Sequence, residues 1–104
     1  LSLSQLSNIK KKAMQYLNFL PTEVRDTLLK IKSGFNFTHK RDGSIYKNTE
    51  SLLPQREMGH YREYTVPTPK IENRGSRRLV ISKDGEIYYT DDHYQTFQRV
   101  MDIE

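Results

Sequence analysis

The stretch RRLVISKDGEIYYT, residues 77–90, decides the fold. Leu79 and Ile81 alternate with Arg78 and Val80 in its first half, and Ile87, Tyr88 and Tyr89 form a β-branched and aromatic run in its second. Bounded by turn residues, such runs predict strands at 77–82 and 86–90. Lys83-Asp84-Gly85-Glu86 lies between them and predicts a tight hairpin, because Asp-Gly tolerates the positive φ angles of a type I′ turn.

Upstream, YREYTV (61–66) predicts a third strand, and a last one is expected near 96–101. The N-terminal part has a different period. Leu6, Ile9, Ala13, Tyr16, Leu17 and Leu20 recur at helical spacing up to Pro21, with Lys10, Lys11 and Lys12 as a solvated face. A second helix follows, with Thr22 as its cap, Val24, Leu28 and Ile31 on one face, and Gly34 at its end. Residues 35–55 read as loop, with Arg41-Asp42-Gly43-Ser44 as a turn and Ile45-Tyr46 as the one place suited to a short strand. Helices first and a meander afterwards give an α+β class, with N-terminal helices packed on one face of an antiparallel β-sheet.

A chain of 104 residues supports one modest core and one domain. Its apolar runs are far short of the roughly 20 residues that cross a bilayer, so no membrane anchor is expected. It has no cysteine, which excludes disulfides, thiolate metal sites and thiol nucleophiles. His39, His60 and His93 lack any metal-ligand spacing, so neither a metal nor another cofactor is expected. Lys and Arg outnumber Asp and Glu by 17 to 13, which suits an anionic partner. That excess sits in residues 1–41, with eight basic and two acidic residues, whereas 42–104 hold nine and eleven. Phosphate contacts in the C-terminal part must therefore rest on particular arginines.

A period of two decides which side chains share a face. Tyr64 and Val66 lie on the face of Arg62, and Glu63 and Thr65 on the other; Leu79 and Ile81 suit the core, and Arg78 faces away from it. If the helix covers the core face, Glu63 and Arg78 emerge together on the open one, with His93 in a loop at its rim. Taken singly, each has a plainer reading: Glu63 in a surface ion pair, His93 in a turn capped by Asp91 or Asp92, and the tyrosines as core and sheet surface.

Five stretches, in register, change that balance: LPTEVRDTL, IYKNTESLLP, YREYTV, NRGSRRLVI and YYTDDHYQTF. Together they make the chain from about Leu17 onward resemble the microbial guanyl-specific ribonucleases, the barnase-like family. The resemblance implies an N-terminal extension or linker stub at 1–16 and a ribonuclease domain at 17–104. It implies cleavage of single-stranded RNA 3′ of guanosine, without metal, through a 2′,3′-cyclic phosphate. It places Glu63 as general base, Arg74 and Arg78 on the phosphate, and His93 as general acid. Tyr46, Lys47, Asn48, Thr49 and Glu50 fall in the guanine-binding segment, with Tyr94 beside the histidine. Thr49 stands where relatives carry an arginine, and Lys47 where they carry glutamine or a small polar residue. His39 and His60 match no catalytic position and are read as structural.

These residue types suit the reaction. A carboxylate can take the 2′-hydroxyl proton and an imidazolium can protonate the departing 5′-oxygen, each typically worth about 10²–10⁴ in rate. Guanidinium groups meet the phosphoryl charge with paired hydrogen bonds. A carboxylate and loop N–H groups together match the guanine edge, and an aromatic face adds about 1–3 kcal/mol of stacking. The biological expectation is a monomeric C-terminal toxin domain of a bacterial effector, secreted or delivered into a target cytoplasm. An acidic, barstar-like immunity protein would restrain it. The alternatives are a freestanding secreted ribonuclease, a non-catalytic RNA- or protein-binding module, and a metal-dependent DNase for which no ligand cluster is visible.

Overall fold

The computed structural model describes residues 2–5, 20–34 and 39–101. The predicted helix over residues 6–20 lies outside these, except for Leu20. The elements that follow are α1 (Thr22–Ser33), β1 (Tyr61–Thr65), β2 (Arg78–Ser82), β3 (Ile87–Thr90) and β4 (Gln98–Val100). The four strands form an antiparallel meander in sequence order. This is the expected α+β architecture.

Helix α1 begins differently from the expectation. Pro21 occupies the N-cap and accepts the Val24 N–H at 3.0 Å, while Thr22 is already helical and donates its hydroxyl to Glu23. Proline suits this boundary because its φ is preset and it has no N–H to satisfy. The other end is as expected: Gly34, at φ +72°, donates its N–H to Ile31 O at 3.3 Å. Val24 and Thr27 are buried, and Leu28 and Ile31 pack partly against the core.

The hairpin at 83–86 is a correction. Gly85 alone among its residues has positive φ, at +86°, and its N–H returns to Ser82 O at 3.0 Å. A type I′ turn needs two such residues; a three-residue loop ending in a left-handed glycine needs one. The latter relieves Asp84 of a strained backbone.

The sheet separates two clusters. On the helix side Leu20, Val24, Val66, Leu79, Ile87, Tyr89 and Val100 are buried together. On the other face Leu53, Tyr61, Val80 and Tyr88 are buried, with Tyr46, Tyr94 and Phe97 packed over them. This second face is therefore partly roofed, because its own apolar groups need cover. Part of the roof is the segment beside β1: Gly43 N–H bonds Glu63 O, Glu63 N–H bonds Ser44 O, and Tyr46 N–H bonds Tyr61 O. The expected Ile45-Tyr46 strand is reduced to one bridge, Ile45 to Arg62.

Candidate active site

The pairing register carries Glu63 opposite Val80 and Arg78 opposite Thr65, so both charged side chains rise from the roofed face as the alternation requires. Glu63 is buried, at 6% exposure, and a buried carboxylate needs compensation. Arg74 supplies it: Nη2 donates to Glu63 Oε1 at 3.1 Å and Nε donates to Thr65 Oγ1 at 2.7 Å. The same Nη2 lies 3.8 Å from Asp42 Oδ1, which also accepts the Thr65 N–H at 2.7 Å. Arg41 Nε, on an exposed side chain, stands 4.0 Å from Glu63 Oε1.

Arg78 is more deeply enclosed, at 2% exposure. Its Nη1 donates to Gly75 O at 3.0 Å and Arg77 O at 2.7 Å, while its Nε is buried without a partner. Gly75 is a requirement of this loop: its φ is +68°, and a Cβ there would lie 2.8 Å from Thr68 Oγ1. Asn73 Oδ1 accepts the Gly75 N–H and steadies the turn that carries both arginines.

His93 and Tyr94 both adopt left-handed backbone, at φ +57° and +73°. Non-glycine residues in this region cost of order 1–3 kcal/mol each, so the surroundings must hold them there. Asp92 does so, accepting from Thr90 Oγ1, Gln95 N, Thr96 N and Thr96 Oγ1 at 2.5–3.2 Å. Those bonds, led by the Thr96 hydroxyl, draw its pKa down to about 2. The histidine loop is tied to the arginine loop by His93 N–H to Ser76 O and by Ser76 Oγ–H to Asp91 O. The imidazole itself is exposed and meets the Tyr94 ring edge-on at 4.9 Å.

Tyr94 links this loop to the segment 46–50. Its ring stacks on Tyr46 at 5.0 Å between centroids, with Phe97 against both. Burial, and then the charge of Glu63, push its phenol up to about 12, opposed by Arg78 and Arg74. Its hydroxyl is buried on the side of Glu63, whose carboxylate also disfavours the phenolate by accepting from the phenol. Tyr46 is likewise raised by burial, then by Glu50 and Glu63.

Asn48 serves the loop from within. Its side chain donates to Leu53 O at 2.9 Å, accepts the Leu53 N–H at 3.1 Å, and its own backbone is left-handed at φ +56°. Lys47, Thr49 and Glu50 stand exposed around it. The expected base-contact residues thus divide into a buried brace, Asn48, and exposed groups available to a ligand.

Sequence reasoning missed Arg41, Asp42, Thr65 and Ser76, which hold or approach the charged groups. Thr65 was legible from its alternation with Glu63; the others reach the site from irregular loops and carried no periodic signal.

Comparison with known proteins agrees with the fold. Residues 4–101 match the family model described as ribonuclease. The chain is 43% identical over 79 residues to guanyl-specific ribonuclease St of Saccharopolyspora erythraea, covering 76% of this chain and 78% of the relative. It is 45% identical over 85 residues to guanyl-specific ribonuclease Sa of Kitasatospora aureofaciens, covering 81% and 88%. Among solved structures, ribonuclease Sa2 in complexes with mononucleotides superposes with a TM-score of 0.77 at 42% identity, over 80% of this chain and 86% of that one. Ribonuclease Sa2 with guanosine-2′-cyclophosphate gives 0.76 at 42%, over 81% and 89%.

Proposed function

This chain belongs to the ribonuclease family, and from that premise we propose that it cleaves single-stranded RNA 3′ of guanosine by transphosphorylation to a 2′,3′-cyclic phosphate, which is then hydrolysed. Glu63 removes the 2′-hydroxyl proton as that oxygen attacks phosphorus. His93 protonates the 5′-oxygen as the P–O bond breaks, and the two exchange roles when water opens the cyclic product. Arg74 and Arg78 neutralise the phosphoryl oxygens. Guanidinium groups supply this positive charge, so the reaction runs without a divalent ion. Guanine is held by Glu50 and the loop braced by Asn48, with Tyr46 or Tyr94 as its stacking face.

One observation carries the reading. Arg78 Nε is a buried donor without a partner among the described residues, on the face that bears Glu63. Buried donors are ordinarily satisfied, and a phosphate oxygen is the acceptor suited to a guanidinium N–H. The expected setting is a toxin domain whose active-site face is covered by an acidic immunity protein, a reading supported by Arg41, Arg74 and Arg78 gathered around Glu63 and Thr65.

The test is incubation with a short RNA holding one G, in EDTA. Cleavage is expected only 3′ of that G, ending in a cyclic phosphate, with rate losses of about 10²–10⁴ in Glu63→Gln and in His93→Ala. Cleavage abolished by EDTA, or undiminished in Glu63→Gln, contradicts it.

A further inference from the structure

Among the described residues, another buried polar atom without a hydrogen-bond partner lies just before β1, at the end of the sheet away from the arginine and histidine loops. His60 Nε2 belongs to a side chain only 9% exposed, and Asp84 Oδ2 stands 3.6 Å from it, outside ordinary hydrogen-bond range. Donor atoms of His60, Asp84 and Glu86 all lie within 4.8 Å of one another. In sequence His60 is distant from the Asp84-Gly85-Glu86 turn; the meander brings them together, because Tyr61 pairs with Ser82 and the next turn folds back beside His60.

The backbone around them is held. Lys83 N–H bonds His60 O at 2.9 Å, His60 N–H bonds Glu57 O at 3.1 Å, and Glu86 exchanges two bonds with Ser82 at 2.9 Å. The imidazole edge packs on Tyr61 with centroids 5.0 Å apart, which fixes the ring plane. One borderline nitrogen donor and two carboxylates at the mouth of a turn form the donor set of a zinc-type cation, with water completing the shell. The His60–Asp84 separation is already close to that between neighbouring ligands on a tetrahedral zinc, roughly 3.4 Å for bonds of about 2.1 Å. Arg99 Nη1, 3.3 Å from Glu86 Oε2, is the competing cation. A carboxylate has two oxygens, so Glu86 can bind an ion through one and keep Arg99 on the other.

We propose that His60, Asp84 and Glu86 bind a divalent zinc-type cation that locks the β2–β3 turn onto the start of β1. The site lies at the end of the sheet opposite the arginine and histidine loops, about 14 Å away along the four-residue rise of β2. Its occupancy therefore changes stability and leaves RNA cleavage unchanged.

The test uses the full chain with zinc as the only added metal, in a His93→Ala background that removes the exposed imidazole of the other site. Calorimetry is expected to show one site, and Tm to rise by about 4 °C or more at saturating zinc. Asp84→Asn, at an exposed side chain, and Glu86→Gln, which keeps the shape of a half-buried one, keep the fold and weaken binding at least about tenfold. With the intact histidine, Asp84→Asn cleaves RNA at the unaltered rate. Zinc affinity in either carboxamide variant equal to that of the parent, or no binding at millimolar zinc, overturns the proposal; a bare His60–Asp84 ion pair is then all the cluster is.

Discussion

The two faces of one sheet are built to different ends. Toward α1 the side chains are mostly aliphatic, and Val24, Val66 and Leu79 are fully enclosed. The opposite face holds Glu63 and Arg78 at similar burial, but among tyrosines, with a donor unsatisfied and loops for a roof. Equal burial therefore conceals unequal energetics: apolar groups gain by leaving water, whereas charges must be compensated group by group. The first face stabilises the domain, and the second places charges at a cost that packing elsewhere offsets.

Substitutions should separate the two faces. Leu79→Ala, on the helix side, is expected to lower unfolding free energy by about 2–5 kcal/mol. The rate per folded molecule should be preserved. Urea unfolding beside an RNA-cleavage assay checks both, and a specific loss of rate in the folded protein would break the division. Asn48→Ala, on the roofed side, leaves the Leu53 N–H and C=O without their partner and should cost about 1–3 kcal/mol. It should also raise KM for a guanosine-containing substrate more than it lowers kcat, because its target is the loop proposed to seat the base.

The smallest effect concerns acid. The Asp92 carboxylate has its pKa drawn down to about 2, below the ordinary value of about 3.9, so it favours the folded state while ionised. Its contribution is complete above the unfolded value and disappears as pH falls through about 2. The Tm difference between the parent chain and Asp92→Ala should thus be constant above pH 5 and close toward pH 2. A difference that persists at pH 2 would assign the role of Asp92 to neutral hydrogen bonding.

Alternation made the sheet readable: Glu63 against Tyr64, and Arg78 against Leu79, put each charged side chain on its observed face. What alternation does not encode was lost. Thr22 has the chemistry of a helix cap, yet Pro21 takes that place through backbone geometry. Asp84-Gly85 marks a hairpin, but loop length, set by the Ile81–Ile87 pairing, decides the turn. Arg41 approaches Glu63, and Asp42 approaches Arg74, through loop contacts that no local pattern announces. For the site, the family resemblance supplied roles that facing alone could not, while Asn48 proved a brace only when its partners in the loop were visible.

The central claim is that the roofed face divides the chemistry between Glu63 as base and His93 as acid. The most direct measurement is cleavage of an RNA whose scissile 5′-oxygen is replaced by sulfur, a leaving group that departs without protonation. The account predicts that His93→Ala cleaves this substrate at nearly the parent rate while Glu63→Gln stays slow. Equal slowness of the two variants, or rescue of both, would contradict it.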